Sequence, residues 1–131
     1  MNTNDTNMED GILYKDLSYK IVGLAMQVHS ELGPGFLEKV YENSLLVLLE
    51  ENGINARSQV PIPVEFHGHV VGEYFADIIV EESILLELKA QDRIAEIHKA
   101  QVLNYLKATG YRLGILINFG KYRLESQRLV L

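Results

Sequence analysis

Apolar residues recur at helical spacing in two stretches of the N-terminal half, and turn-forming residues end both stretches. The first places its apolar side chains on one stripe between Leu17 and Leu32, and Gly33-Pro34-Gly35 follows directly. The second runs from about Leu37 to Asn52, and Gly53 stands where helices are commonly capped. These patterns predict two amphipathic helices in succession.

The pattern then changes to the alternation of a half-buried strand. From Gln59 to Phe66 every second residue is apolar, and His67-Gly68-His69 is typical of a turn into a return strand, Val70 to Val80. A third strand, Ile84 to Lys89, is apolar on both faces apart from its last charges. Such a strand is expected at the buried centre of a sheet.

The last third of the chain returns once to helical spacing. A helix is predicted from Ala95 to Thr109, a short apolar strand from Leu113 to Asn118, and an edge strand from Lys121 to Leu131. The order is therefore helix, helix, three strands, helix, strand, strand. A strand, a crossing helix and a second strand in one sheet predict a mixed α/β domain with at least one parallel pair.

Length and composition favour one globular domain. The chain has 131 residues, 47% of them hydrophobic, which is enough for one core and too little for two domains. We expect a disordered polar tail over residues 1–10 and a single domain over residues 11–131. The chain has no cysteine, which excludes disulfides and thiolate chemistry and favours a cytoplasmic protein. It also lacks an apolar run of signal-peptide or membrane-spanning length, so no membrane partner is expected.

Charge is unevenly distributed along the chain. The net charge of −6 argues against a polyanionic partner such as DNA. However, residues 1–88 carry four basic and 15 acidic side chains, whereas residues 89–131 carry eight basic and three acidic ones. The second part could face phosphate, or its lysines and arginines could simply solvate a helix and two edge strands.

Three charged residues interrupt the apolar strands. Asp77 lies within one strand, and Glu87 and Lys89 lie within the next. Residues two apart on a strand point to the same face, so Glu87 and Lys89 project together, and pairing of the two strands would bring Asp77 to them. Charges are rarely buried unless they are paired or bind a metal.

Two interpretations of this trio remain open. Two carboxylates with open positions for water suit Mg²⁺, and a lysine beside the ion can orient or deprotonate a water for phosphodiester hydrolysis. The other interpretation is a buried salt bridge between Lys89 and one of the acids. A glycosidase is less favoured, because Lys89 is expected to hold Glu87 ionised, whereas the general acid of a glycosidase needs a raised pKa.

Several motifs, in order along the chain, resemble a known superfamily. Ala76-Asp77 followed by Glu87-Leu88-Lys89 resembles the D…(D/E)xK signature of the PD-(D/E)XK nucleases, although Ala76 stands where the name has proline. The segment from Gly35 through Glu38 to Tyr41 matches the GxxExxY pattern that names one family of small proteins in that superfamily. The segment from Gln101 to Tyr105 matches the QxxxY element of the RecB-like branch.

The resemblance implies a fold, an activity and roles for particular residues. The fold would be a restriction-endonuclease-like α/β core, a mixed central sheet flanked by helices. The activity would be Mg²⁺-dependent phosphodiester hydrolysis, with Mn²⁺ as a substitute ion; DNA is the favoured substrate, and RNA is the alternative. Asp77 and Glu87 would be metal ligands, Lys89 the catalytic lysine, and Glu38 a helix-borne acid that helps to hold the metal. The alternative is an inactive module that keeps this fold and binds nucleic acid or protein.

Other residues have both a functional and a structural interpretation. Gln101 and Tyr105 lie one helical turn apart on a face shared with His98, so all three are candidates for contacting the cluster or a bound phosphate. They could equally be an ordinary half-buried group. Glu38 could serve only the positive end of its helix, and Tyr41 is expected in the core. A second copy would help so small a domain to grip a duplex, so a homodimer is expected as one arrangement, although no interface motif is visible.

Overall fold

In the computed structural model, which describes residues 8–9, 12–120 and 122–131, three helices cover a five-stranded sheet. The helices are α1 (Lys15–Leu32), α2 (Glu38–Glu51) and α3 (Glu96–Thr109). A small ribbon pairs β1 (Met8–Glu9) with β2 (Ile12–Leu13). The sheet consists of β3 (Ala56–Phe66), β4 (His69–Val80), β5 (Ile84–Lys89), β6 (Leu113–Phe119) and β7 (Leu124–Val130). Of the predicted disordered tail, residues 1–7 and 10 lie outside the described part of the chain.

The sheet is mixed, as the sequence predicts. Its strand order is β3-β4-β5-β6-β7, and every neighbouring pair is antiparallel except β5 and β6. The parallel pair arises because α3 carries the chain from the end of β5 back to the start of β6. The two strands with the most apolar sequences thereby occupy the centre, and residues 113–120 are buried without interruption.

Helices pack on both faces of the sheet and give the domain two cores. On one face α1 and α2 cover side chains such as Ile78, Leu86 and Ile115. On the other face α3 covers a smaller set that includes Leu85 and Leu116. Because β5 and β6 contribute to both cores, they hold the three layers together.

A glycine sets the distance between α3 and the sheet. A Cβ atom on Gly114 would lie 2.5 Å from Cγ1 of Val102, a separation that packed side chains do not tolerate. The helix therefore lies close against β6, and any larger residue at this position would push it outward.

The loop between β5 and α3 is fixed by a buried amide. The Asn118 side chain is fully buried, accepts a hydrogen bond from the Gln91 N–H at 2.9 Å and donates to the Gln91 carbonyl at 2.9 Å. It also donates to the Glu125 carboxylate at 3.1 Å. This clamp holds the chain where it leaves Lys89, so the position of that lysine depends on β6 as well as on β5.

The predicted and observed starts of β3 differ by three residues. The strand begins at Ala56, three residues before the predicted start, because Ala56–Ser58 pair with Ile78–Val80 without alternating in polarity. By contrast, β5 has the predicted bounds. The hairpin turn uses positive φ at both His67 and Gly68, which is the geometry a tight hairpin of this kind requires.

Candidate active site

Strands β4 and β5 separate at one point, and the three interrupting charges lie there. Their antiparallel ladder runs from Val80↔Ile84 to Ile78↔Leu86 and then stops. Beyond it, Oδ2 of Asp77 accepts a hydrogen bond from the Leu88 N–H at 2.7 Å, so a side chain replaces the missing strand pairing. We call this opening between Asp77 and Glu87 the fork. At the fork, the edge of β5 that faces β4 is no longer covered by strand pairing.

A kink in the neighbouring strand accompanies the fork. Gln59 has φ of +51°, a left-handed conformation that is rare for a residue other than glycine and costs roughly 1 kcal/mol or more. It forms no ladder pair with Asp77, although the pairs on both sides, Ser58↔Ile78 and Val60↔Ala76, are present. The hairpin is thus interrupted on both strands at the same level.

At the kink, the two faces of the hairpin exchange the cores that they contact. Ala56 and Ile78 contact the core under α1 and α2, whereas Ile62 and Ala76 belong to the core under α3. In a regular strand these even-numbered positions would all point to one face. The outer half of the hairpin is therefore redirected toward α3, and Asp77 lies at the crossing point.

Glu87 is the most deeply placed acid of the fork. It is 5% exposed, its Oε2 lies 3.9 Å from Nζ of Lys89, and its Oε1 is buried without a hydrogen-bond partner among the described residues. A buried carboxylate oxygen without a partner is costly, since it has lost its water and gained nothing in exchange. Glu87 thus lies close to Lys89 and within electrostatic reach of Asp77, but Lys89 alone does not satisfy it.

Burial and neighbouring negative charges raise the pKa values of both strand carboxyls. Burial, reinforced by the charge of Asp77, raises the pKa of Glu87 to about 8, and Lys89 opposes this only in part. Burial also raises the pKa of Asp77, with the Leu88 N–H acting against it and the charge of Glu42 adding to it. The expectation that Lys89 keeps Glu87 ionised is therefore wrong for the protein without a cation, because desolvation outweighs one partly exposed ammonium.

Helix α2 brings two further acids toward the fork. Glu38, at the first position of the helix, is exposed, and its charge contributes to the raised pKa of both Asp77 and Glu87. Glu42, one turn later, is buried and accepts hydrogen bonds from Gln59 at 2.9 Å and from Lys39 at 2.8 Å. Apart from its helical spacing from Glu38, nothing in the sequence distinguishes Glu42, because a glutamate on an amphipathic helix ordinarily faces solvent.

Gln59 links α2 to the fork. Its side-chain amide donates to Oε1 of Glu42 at 2.9 Å and lies 3.4 Å from Oδ1 of Asp77. The left-handed backbone at this residue points the amide between the two carboxylates. Gln59 was likewise absent from the predicted site, since nothing in a polar strand residue indicates a kink.

The segment from Gly35 to Tyr41 positions the start of α2. The Tyr41 hydroxyl donates to the Gly33 carbonyl at 2.7 Å and accepts from the Phe36 N–H at 3.2 Å. Its ring is fully buried and stacks on Phe119, with centroids 4.5 Å apart. Tyr41 is thus a core residue, as predicted, and it fixes the loop that presents Glu38.

The three predicted residues of α3 line one groove beside the fork. Gln101 donates to the Tyr105 hydroxyl at 2.9 Å, and burial together with the charge of Glu87 raises the pKa of Tyr105. Nδ1 of His98 accepts from the Ala95 N–H at 3.1 Å, which leaves Nε2 as the protonated nitrogen of the neutral ring. Lys89 lines the same groove, so it connects the groove to the fork.

The chain matches a known protein superfamily. The sequence model of the PD-(D/E)XK nuclease superfamily matches residues 15–129. The chain belongs to this superfamily. The match spans α1 through β7 and therefore includes the fork, α2 and the groove. No curated protein matches the chain.

A solved structure confirms the fold of this superfamily member. The crystal structure of SSO0001 superposes with a TM-score of 0.53 and 24% sequence identity, over 70% of this chain and 48% of SSO0001. The chain thus spans about half the length of that protein. The five-stranded mixed sheet with helices on both faces is a restriction-endonuclease-like fold. Within the described residues, no helix is long and apolar enough to cross a membrane.

The carboxylate oxygens of the fork are suitable ligands for a divalent cation, although among the described residues no three acidic side chains converge on one ion position. PD-(D/E)XK nucleases generally use divalent metals, and Asp77 and Glu87 supply the hard carboxylate oxygens that Mg²⁺ prefers. The unpartnered Oε1 of Glu87 is the kind of atom that a cation would satisfy. Over residues 12–120 and 122–131, however, no three acidic or histidine side chains stand close enough to grip one ion together. Water would have to complete the shell, as it usually does for Mg²⁺.

Proposed function

We propose that this chain is a divalent-metal-dependent nuclease that hydrolyses phosphodiester bonds of DNA. The observation that carries the proposal is the buried Oε1 of Glu87, which has no hydrogen-bond partner among the described residues and belongs to a carboxyl whose pKa is raised by burial and by the charge of Asp77. A site of this kind is destabilising unless a cation occupies it. Membership of the nuclease superfamily supports phosphodiester hydrolysis as the reaction, and the residues of the fork are the candidates to carry it out.

Each residue of the fork has a distinct role in this proposal. Asp77 and Glu87 would hold Mg²⁺, and Glu38 would support it from α2. Bound there, the ion would act as a Lewis acid on the phosphate and lower the pKa of a water. The Leu88 N–H fixes Oδ2 of Asp77, so the orientation of this carboxylate is set before any ligand arrives.

Lys89 would serve the attacking water and the developing charge. Its side chain is 16% exposed, is held near Glu87 and opens onto the groove, so its ammonium can reach a phosphate without leaving the fork. From there it can orient the water or donate a hydrogen bond to the oxygen on which charge accumulates. Gln101, Tyr105 and His98 would contact the substrate.

Cleavage assays with matched variants test this function. Purified protein should cut plasmid or single-stranded DNA in Mg²⁺ or Mn²⁺. Asp77→Asn and Lys89→Ala should each reduce the rate by about 100-fold or more, which is the usual size of such losses. Glu51→Gln and Lys20→Ala, which change exposed side chains on α2 and α1, should cut like wild type. Cleavage that persists in both fork variants would belong to a contaminant.

The second candidate is a nuclease-fold module that binds nucleic acid or protein without cutting. One observation favours it: the described acids do not close into a three-ligand site, and Oδ2 of Asp77 is already engaged by a backbone N–H. A crystal soaked in Mn²⁺ separates the two candidates. Anomalous density between Asp77 and Glu87 supports the nuclease, and its absence from a well-ordered fork supports the module.

We further infer that the chain belongs to the GxxExxY family within the superfamily. The support is the spacing of Gly35, Glu38 and Tyr41, and the joint action of the last two in fixing and presenting the start of α2. The QxxxY hydrogen bond between Gln101 and Tyr105 supports the RecB-like branch. We also propose a homodimer and a cytoplasmic location, and light scattering of the purified protein tests the first.

A further inference from the structure

A groove of about 1050 Å³ runs beside the fork, between α3 and the outer half of the β3–β4 hairpin. Residues from Ile97 to Ala108 line it on the helix side, a length of roughly 16 Å at 1.5 Å per residue. Pro63 and Tyr74 line it on the hairpin side. The groove exists because the kink at Gln59 turns this half of the hairpin toward α3.

Large apolar side chains stand exposed on both walls of the groove. Ile97 is 72% exposed and Tyr74 is 49% exposed. The Tyr74 ring lies 5.7 Å from the Tyr105 ring at an angle of 42°, and Tyr105 is in turn held by Gln101. The tyrosine pair is therefore a supported aromatic surface. Exposed apolar surface in a concave site usually marks a binding surface.

Cationic, imidazole and amide groups accompany the apolar ones. Lys89 lies where the groove meets the fork, His98 lies in the first turn of α3 and Lys107 in its last turn. Asn104 adds a side-chain amide between them. The groove thus offers flat apolar contacts together with hydrogen-bonding and positive groups, and Glu65 is the acidic residue that lines it.

We propose that this groove binds a single-stranded segment of DNA, whose bases stack on Tyr74 and Ile97 while its backbone leads to the fork. The inference rests on the proposed nuclease function and specifies its substrate. Stacking needs exposed base faces, which single strands offer and a base-paired duplex hides. At the 3.4 Å per nucleotide of a stacked strand, the groove accommodates on the order of three to five nucleotides.

Binding of short oligonucleotides to the full chain tests the groove. Fluorescence anisotropy would compare a labelled 12-nucleotide thymidine strand with a blunt 12-base-pair duplex, in Ca²⁺ to supply a hard cation. The single strand should bind at least tenfold more tightly. Tyr74→Ala should weaken single-strand binding about tenfold, the usual consequence of losing one stacking platform, and Ile97→Ala should weaken it less.

Two further variants of β4 make the result specific to stacking. Tyr74→Phe keeps a flat ring and should retain wild-type affinity. Phe75→Ala removes a similarly exposed ring that points to the opposite face of β4 and should change affinity less than twofold. Melting curves would establish that all variants fold.

The outcomes separate this inference from the nuclease proposal. If the protein cuts DNA in an Asp77-dependent way but binds duplex as tightly as single strand, or ignores Tyr74→Ala, the single-strand inference is overturned and the nuclease proposal stands. Equal losses in Tyr74→Ala and Phe75→Ala overturn it as well. If neither probe binds and no DNA is cut, both proposals are overturned.

Discussion

Strand β5 has two neighbours, and it joins them in opposite ways. Six residue pairs connect it to β6, from Ile84↔Leu113 to Lys89↔Asn118, and the side chains along both strands are almost entirely buried. Only three pairs connect it to β4 before the strands part at Asp77. The side of β5 that pairs with β6, the closed side, carries the hydrophobic cores. The side where β5 separates from β4, the open side, carries buried charged groups. Stability and chemistry are therefore divided between the two edges of one strand.

The largest effect is expected on the closed side. Ile115→Ala should lower the free energy of unfolding by about 2–5 kcal/mol, because Ile115 is fully buried under α1 and α2 and its truncation leaves a cavity. Urea denaturation measures the loss. Val130→Ala on the exposed edge strand is the control and should change stability by about 0.5 kcal/mol or less. A loss below about 1 kcal/mol for Ile115→Ala would contradict the inference that the β6 side of β5 carries the stability.

At the fork, by contrast, a substitution is expected to increase the free energy of unfolding. Because the pKa of Glu87 is raised to about 8 from its ordinary 4.5, the folded metal-free protein favours the protonated acid. The stability contributed by this group is fully present below pH 4.5 and is lost as the pH rises through 8. Glu87→Gln should therefore match wild type near pH 5 and exceed it at pH 9, by an amount on the order of a few kcal/mol.

Urea denaturation in EDTA at the two pH values measures this difference. Taking variant minus wild type removes the titration of other groups that both proteins share. If the difference does not grow with pH, Glu87 is not held protonated by its surroundings, and the account of the fork as a site of unbalanced negative charge is wrong.

A smaller loss is expected where α3 meets β6. Gly114→Ala should destabilise the protein by about 1–3 kcal/mol, because the new methyl group would overlap Val102 and push α3 outward. Gly23→Ala is the matched control: apart from its chain neighbours and the local helix backbone, no described atom lies within 4 Å of a Cβ there, and alanine favours a helix, so stability should rise by up to about 1 kcal/mol. Thermal unfolding distinguishes the two. Equal changes would contradict the close packing.

The smallest effect on stability is expected at the kink. Gln59→Gly should change the free energy of unfolding by less than about 1 kcal/mol, since relief of the left-handed backbone offsets the lost hydrogen bond to Glu42. Its effect on the fork should be larger, because Asp77 and Glu42 lose the amide between them. Weaker Mn²⁺ binding without a change in stability would be the sign of a positioning role, and unchanged Mn²⁺ binding would exclude that role.

The sequence predicts the closed side well and the open side incompletely. Strand β5 was bounded correctly because an apolar run between turn residues has few other interpretations. The proximity of Asp77 to Glu87 followed from strand pairing alone. The kink at Gln59 and the burial of Glu42 did not, because both depend on contacts between α2 and the hairpin that no local pattern records. The raised pKa of Glu87 does not follow from the sequence for the same reason, because the burial of this side chain depends on how the helices pack against the sheet.

Titration calorimetry with Mn²⁺ tests most directly whether the fork is a cation site. Wild-type protein should bind the ion, Glu87→Gln should bind it at least tenfold more weakly, and Glu51→Gln should match wild type. Equal affinity in wild type and Glu87→Gln, or no binding by either, would contradict the account.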